Sequence, residues 1–359
     1  MLTLRCVQHH PALLVWAIGN EANAGGGNAF GPLYAFINAA AVAIKKEDPC
    51  HVTATVTTSP NEDIATQMND HCPDVDIWGV NVYGSLLSRL PAKMREVGWR
   101  RPWCATEYGP QNWWQVKATD WGAQLEPSDG DKAATYAAAM AGLASDGSCV
   151  GGYAFKWGWK EQVTVTWVNL YNEYPPSYGT GMSGGEETAA VEALSKGWTG
   201  REPGERAPRI ASLTLDSQPP SASVRLAPGA VASARADASS PDGAALAYTW
   251  LLLPEGGKLG AAAHEGLSWV GGMPQPLPGA VVASDAPGRA TLTAPAATGF
   301  YRLYVWVSDG RGKMATANFP ISVGTGTEIE KGAHKQTGHH KHSSTSRSCW
   351  GTCMAFLGL

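Results

Sequence analysis

The feature that most constrains the fold is an alternation of short apolar runs with helical stripes across residues 11–200. Leu13–Ile18 is a continuous apolar run, which is typical of a strand buried on both faces. Apolar residues then recur at helical spacing from Phe30 to Ile44 and stop before Pro49. Because strands and helices alternate, the sequence predicts an α/β fold with a parallel sheet. Four further strands are predicted at His51–Thr57, Asp76–Tyr83, Pro102–Tyr108 and Gly152–Trp157.

Two glutamates stand where predicted strands end. Glu21 lies in AIGNEAN (17–23), after the first strand, and Glu107 lies in ATEYGPQNWW (105–114), at the end of the fourth. They are 86 positions apart, which is close to three units at the roughly 31 residues per βα unit of a (β/α)8 barrel. Barrel enzymes hold their reacting groups at the carboxyl ends of the strands. Two carboxyl groups at this rim are what glycoside hydrolysis needs, one protonated to release the leaving oxygen and one ionised to attack the anomeric carbon.

The composition changes after Trp198. Residues 200–208 form a linker rich in proline, glycine and charge, and residues 1–199 before it form the predicted partial barrel. Strictly alternating apolar residues and Asp-Gly turn signals follow, so we predict an all-β, immunoglobulin-like sandwich of about seven strands over 209–323. Residues 324–359 are rich in Gly, Ser, Thr, Lys and His and are predicted to form a disordered tail.

The composition excludes several classes of function. The net charge is −4 and no stretch carries a basic stripe, so we expect no nucleic-acid partner. No apolar stretch is long enough to span a membrane. The seven cysteines show no metal-binding spacing, and we expect no metal and no cofactor; Cys50 and Cys72 flank one βα unit, so their pairing stays open. Fifteen tryptophans exceed the needs of a core of this size, and such a surplus is common in clefts where sugars stack on flat rings.

Several segments together resemble the barrels of clan A glycoside hydrolases, especially those similar to family 2. HPALLVWAIGNEAN (10–23) is similar to their acid/base strand, and RPWCATEYG (101–109) to their nucleophile strand. DIWGVNVYG (76–84) is similar to the strand whose tyrosine bonds the nucleophile, and the Trp157 segment to the last strand. Residues 209–323 resemble accessory sandwiches of the fibronectin or polycystic-kidney-disease type. The resemblance implies a retaining mechanism acting on a polysaccharide or oligosaccharide of the β-glucan type, by hydrolysis or by transglycosylation.

The resemblance also implies roles for individual residues. Glu21 would be the general acid/base and Glu107 the nucleophile, with Tyr83 positioning Glu107. Asn20 would bind the sugar 2-hydroxyl, and Trp157 would form the floor of a sugar subsite. The full set of predicted substrate-binding residues is Asn20, Asn81, Tyr83, Trp113 and Trp157.

One departure from the resemblance bears on activity. The sequence predicts five strands, whereas closure of the barrel needs eight. We therefore expect either a truncated barrel or a partner that supplies the missing units, and we favour truncation. Met1–Cys6 runs straight into the first strand without a signal peptide, so an extracellular or cell-surface location is expected from the substrate class alone. The alternative function is a carbohydrate-binding or cell-surface module without turnover, and the sequence does not indicate an oligomeric state.

Other interpretations of the same residues stay open. Glu21 could cap a surface helix, and Asn81 could be a strand-end residue that bonds backbone. One of Trp113 and Trp114 could stack on sugar while the other packs. Two further groups offer alternatives of lower weight: tail histidines that bind zinc incidentally and sandwich aspartates that hold Ca²⁺ or form turns. These residues are His334, His339, His340, His342, Asp237, Asp242 and Asp309.

Overall fold

The computed structural model describes residues 6–24, 31–157, 163–172, 184–255 and 274–324, and the backbone of 354–357. The chain divides into two compact units. The first unit contains residues 1–108, 138–155 and 344–359, and the second contains 109–137 and 156–343. Within the described segments, no helix is long and apolar enough to cross a membrane. The tail histidines named above lie outside the described residues.

The first unit is built on a sheet in which β1 to β5 are neighbours in chain order. The recorded pairings of β1 with β2, β2 with β3 and β4 with β5 are parallel, as the alternating pattern predicts for an α/β half-barrel. Met354–Leu357 forms a short strand, β16, that pairs antiparallel with β1, although the sequence places these residues in a disordered tail. The five parallel strands are β1 Leu13–Asn20, β2 Val52–Thr57, β3 Ile77–Tyr83, β4 Trp103–Gly109 and β5 Cys149–Ala154.

The prediction for the fifth strand is displaced. We expected Gly152–Trp157, but β5 ends at Ala154, so Trp157 lies beyond the strand. Gly151 and Gly152 interrupt the apolar pattern inside β5, and Gly151 has a positive φ of 144°. A glycine pair makes the start of a strand hard to locate from the sequence, because glycine supplies no side chain to the alternating pattern.

Helices separate the strands. Helix α1 buries the predicted stripe, which includes Tyr34, Ile37 and Ile44. The sequence pattern did not predict α2, although Asn61 caps this helix by accepting a hydrogen bond from the Ile64 N–H at 2.8 Å. It also missed α3, which has only two turns and too few residues to show a period. The helices are α1 Gly31–Glu47, α2 Glu62–His71, α3 Leu90–Glu96, α4 Asp129–Ala144 and α5 Ala189–Thr199.

The second unit contains two four-stranded sheets that enclose a common apolar core. One sheet has the order β12-β13-β10-β8 and the other β11-β14-β15-β9. A sandwich is therefore present, and its assignment to the immunoglobulin-like class stays a prediction. A two-stranded sheet of β6 and β7 precedes it. The strands are β6 Tyr171–Asn172, β7 Glu186–Glu187, β8 Arg209–Leu215, β9 Arg225–Leu226, β10 Val231–Ser239, β11 Ala247–Pro254, β12 Val281–Ala283, β13 Arg289–Thr293, β14 Gly299–Ser308 and β15 Met314–Val323.

A buried network of charges joins the sandwich to the segment that follows β4. Lys132 Nζ lies 2.6 Å from Glu126 Oε1 and 3.4 Å from Asp129 Oδ1. Asp129 in turn accepts a hydrogen bond of 2.6 Å from the Thr316 N–H on β15. Arg302 on β14 donates to the Gln124 carbonyl at 3.0 Å and is fully buried. Residues 109–137 are therefore fixed to the outer face of a sandwich sheet within the second unit.

Candidate active site

The predicted catalytic glutamates both belong to the first unit and lie at the carboxyl ends of parallel strands. Glu21 directly follows β1, and Glu107 lies in the last part of β4. Both side chains are partly exposed, which a group that must reach a substrate requires. Parallel strands present their carboxyl ends at the same edge of a sheet, so the sequence pattern places both glutamates on one rim.

Both glutamates lie at irregularities in the sheet. The register of β1 against β2 shifts between Ala17 and Asn20, and that of β4 against β5 shifts between Ala105 and Tyr108. Residues in a regular strand alternate between faces, and a register shift re-aims the side chains that follow it. The ends of β1 and β4 are therefore locally distorted where the carboxylates stand.

Asn81 on β3 links the ends of β1 and β4. Its amide nitrogen donates to Glu21 Oε1 at 3.0 Å and to Asn20 Oδ1 at 3.1 Å. Its carbonyl oxygen accepts from the Thr106 hydroxyl at 2.9 Å, one residue before Glu107. Both amide hydrogens are engaged, and only 3% of Asn81 is exposed. Asn81 therefore holds the Glu21 carboxyl group directly and is fixed to β4 one residue before Glu107.

Tyr83 also lies on β3, and it contacts Glu107. Its hydroxyl donates to Glu107 Oε2 at 2.5 Å. The ring of Tyr83 meets that of Phe155 edge-on, with centroids 5.8 Å apart, which fixes the phenol. Tyr83 therefore holds one oxygen of the Glu107 carboxyl group in place.

Asn20 ends β1, and its side chain is exposed next to Glu21. The side-chain oxygen of Asn20 accepts a hydrogen bond of 3.1 Å from the Asn81 amide nitrogen. Asn20, Glu21, Asn81, Tyr83 and Glu107 thus form one constellation within the first unit. Thr106 also belongs to this constellation, and the sequence does not mark it because a threonine inside a strand carries no motif of its own.

The predicted aromatic residues belong to the second unit. Trp113 is 7% exposed, whereas its neighbour Trp114 is 48% exposed, and the two rings meet edge-on at 5.2 Å. Trp114 is therefore the accessible ring of the pair. Trp157 is 69% exposed and lies against Tyr171 with ring centroids 4.9 Å apart. An accessible indole supported by a second ring suits stacking on a flat sugar face.

The cysteines and acidic residues of the described segments do not add a further centre. Cys50 and Cys72 are both free thiols. Burial raises the pKa of Cys72 to about 11, so this thiol is inert at neutral pH. Asp309 accepts hydrogen bonds from the backbone of its own turn, at 2.8 and 3.0 Å. Among the described residues, no group of His, Cys, Asp and Glu has the arrangement of a metal site.

Comparison with known proteins gives weak similarities only. No family model and no curated protein match the chain. Among solved structures, it is similar to a family 51 α-L-arabinofuranosidase from Thermotoga petrophila, with 10% identity, 81% of this chain and 69% of that chain covered, and a TM-score of 0.36.

Two further structures are similar at the same low level. A family 39 β-xylosidase from Caulobacter crescentus has 12% identity, coverage of 77% of this chain and 65% of that chain, and a TM-score of 0.35. A family 5 mannosidase from Rhizomucor miehei has 14% identity, coverage of 40% and 39%, and a TM-score of 0.29. This chain therefore spans well under half the length of that mannosidase. With TM-scores this low, none of these similarities carries weight, and the function has to be argued from the site itself.

Proposed function

We propose that this chain carries the catalytic pair of a retaining glycoside hydrolase, with Glu21 as general acid/base and Glu107 as nucleophile. The observation that carries the proposal is the hydrogen-bonded set on β1, β3 and β4. Asn81 contacts the Glu21 carboxyl group, and Tyr83 contacts that of Glu107, each through one oxygen. Two carboxyl groups with different neighbours suit two different roles in one reaction.

The steps of the proposed reaction use these residues as follows. Glu107 attacks the anomeric carbon and forms a glycosyl-enzyme ester, while Glu21 donates its proton to the departing glycosidic oxygen. Glu21, now ionised, removes a proton from water or from an acceptor sugar, and that oxygen displaces Glu107. Tyr83 stabilises the carboxylate before attack and after release, because its hydroxyl remains a donor to Oε2. Retention requires carboxyl groups about 5–5.5 Å apart.

The proposed substrate is a polysaccharide or oligosaccharide of the β-glucan type. Within the first unit, Asn20, exposed beside Glu21, would bind a sugar hydroxyl. Within the second unit, the accessible ring of Trp157 is proposed independently as a surface on which a pyranose face could stack. We also propose an extracellular or cell-surface location, because polymers of this kind are found outside cells. The choice between hydrolysis and transglycosylation depends on whether water or a sugar reaches the glycosyl-enzyme.

The decisive experiment measures turnover and covalent trapping together. The full chain is incubated with aryl β-glycosides and with a laminarin-type glucan, and then with a 2-deoxy-2-fluoro glycoside whose ester accumulates. We expect release of the aryl group, and a glycosyl adduct that mass spectrometry assigns to Glu107. Glu107→Gln should remove both, whereas the exposed helix residue Glu62 can be changed to Gln as a matched control without effect. Unchanged turnover in Glu107→Gln would refute the proposal.

A second function is favoured by the open sheet that the described residues form. Five parallel strands are present in the described part of the chain, and β16 covers one side of β1. An open sheet does not form the closed cleft of an eight-stranded barrel. The alternative is a carbohydrate-binding or cell-surface module. This alternative would be supported over catalysis if the chain binds glucan without changing it and turns over no aryl glycoside.

A further inference from the structure

The backbone of Glu21 adopts a conformation that this residue type rarely takes. Its φ is 48°, in the left-handed region. For a residue other than glycine this conformation costs on the order of 1–2 kcal/mol, and it persists only where neighbouring contacts hold it. One such contact is backbone to backbone, because the Glu21 N–H donates to the Val56 carbonyl at 2.9 Å. A second is local: the Ala24 N–H donates to the Glu21 carbonyl at 2.8 Å.

A side-chain pair forms a further anchor two residues along. The Asn23 amide nitrogen donates to the Thr58 hydroxyl at 2.9 Å. The Thr58 N–H donates back to the Asn23 carbonyl oxygen at 3.2 Å. Both side chains are partly buried. Since Thr58 follows Val56 by two residues, just as Asn23 follows Glu21, the loop after β1 is tied to the end of β2 at two successive points.

We propose that Asn23 and Thr58 are positioning residues that hold Glu21 in its left-handed conformation and so aim its carboxyl group. Asn81 contacts the carboxyl group at the end of the Glu21 side chain. The carboxyl group reaches Asn81 only while the backbone of Glu21 directs the Cβ atom of this residue toward Asn81. Without the anchor, residue 21 relaxes toward a commoner backbone region. The catalytic consequence rests on the proposed function, in which Glu21 donates a proton to the substrate. A catalytic group has to be held within about 0.5 Å of its productive position.

The test uses substrates that differ in their need for a proton. A phenyl glycoside needs general acid assistance, whereas a 2,4-dinitrophenyl glycoside has a leaving group stable enough to depart unaided. In Asn23→Ala and Thr58→Val we expect kcat/KM to fall about 10-fold or more for the phenyl glycoside, as part of a general-acid contribution of 10²–10⁴. For the dinitrophenyl glycoside it should stay within about twofold of the wild-type value. Thr58→Ser keeps the hydroxyl and should restore the phenyl glycoside rate.

Asn38 provides a matched control. Its side chain makes the same reciprocal pair with Asp74, at 2.9 and 2.8 Å, on helix α1 and away from Glu21. Asn38→Ala should leave both substrates at the wild-type rate. An equal loss on both substrates in Asn23→Ala would show general disruption of the fold and would overturn the positioning role.

Amide hydrogen exchange separates this inference from the proposed function. In Asn23→Ala, the Glu21 amide should exchange at least about 10-fold faster, since local opening sets this rate and its acceptor Val56 is unchanged. In Asn38→Ala it should not change. If the wild-type chain turns over no glycoside, the proposed function fails, while faster exchange still supports the anchor. Unchanged exchange at Glu21 in Asn23→Ala would overturn the inference whatever the activity.

Discussion

Replacement of Lys132 by methionine tests the buried charge network of the second unit. The Lys132 ammonium group lies 2.6 Å from Glu126, 3.4 Å from Asp129 and 2.9 Å from the Thr166 carbonyl. The side chains of Lys132 and Glu126 are each 3% exposed, and that of Asp129 is 8% exposed. Methionine fills a similar volume but leaves two carboxyl groups in the interior without their cation.

The magnitude follows from the burial. Removal of one partner from a buried ion pair costs about 3–5 kcal/mol, because the remaining charge is uncompensated. For a unit of about 200 residues, each kcal/mol lowers Tm by about 2–4 °C, so the variant should melt roughly 6–20 °C lower. Differential scanning calorimetry on the full chain measures this shift. We also expect residues 109–137 and the sandwich to unfold in one transition, since the network joins them.

A surface ion pair supplies the control. Lys196 pairs with Glu202, and both side chains are more than half exposed. Lys196→Met should cost no more than about 1 kcal/mol, as exposed pairs do. A decrease in Tm for Lys132→Met that is no larger than that of Lys196→Met would refute the reasoning.

The pH dependence distinguishes lost charge from lost packing. Burial raises the pKa of Asp129, although Lys132 opposes this effect. Burial also opposes ionisation of Glu126, but the Lys132 ammonium group holds the pKa of that carboxyl below its ordinary value overall. Removal of Lys132 should therefore raise the pKa of both buried carboxyl groups, so the folded variant binds protons more readily than the folded wild type. The loss of stability relative to wild type should therefore become smaller as pH falls through the raised folded pKa values, whereas a packing defect would not change with pH.

Two further predictions concern the first unit. Tyr83→Phe removes the donor to Glu107, and a hydrogen bond to a charged group is worth about 1.5–3 kcal/mol, so kcat on aryl glycosides should fall roughly 10- to 100-fold; a normal kcat would contradict this role. Burial would raise the pKa of Asp48, but hydrogen bonds from Trp16 and His51 lower it overall. The stability that Asp48 contributes is present above the unfolded pKa of about 3.9 and is lost as pH falls through the lower folded value. Urea unfolding should therefore show Asp48→Asn destabilised at pH 6 and the difference narrowing below about pH 4, and a constant difference would contradict this.

The sequence predicts those strands and helices of the first unit in which apolar side chains follow a regular pattern. The apolar runs at Leu13–Ile18 and Pro102–Tyr108 correspond to β1 and β4, and the two glutamates follow because they end those runs. The same method places β5 too late, because glycine carries no side chain to alternate. It also misses α3, which is too short to show a helical period, and α2, in which Ile64, Ala65 and Met68 are the buried side chains.

Contacts between distant residues lie beyond any sequence pattern. Asn23 and Thr58 are common loop residues, and only the pairing of β1 with β2 brings them together. Arg302 meets the Gln124 carbonyl across 178 positions, and no motif marks either residue. Such pairs are brought together by tertiary packing. Local composition therefore predicts the sandwich as a separate module, whereas the structure connects it to the segment after β4.

The contacts of Asn81 indicate which strands are needed to hold the candidate catalytic pair. The sequence leaves two roles open for Asn81, a sugar contact and a strand-end residue, and the structure shows its buried side-chain amide in contact with Asn20, Glu21 and Thr106. These contacts lie within β1, β3 and β4, so they need only the consecutive strands β1 to β4 of one sheet. Closure of a barrel is needed to enclose a polymer but not to hold these hydrogen bonds. The proposed function therefore predicts that small activated glycosides are turned over, because contacts within β1, β3 and β4 hold both carboxyl groups.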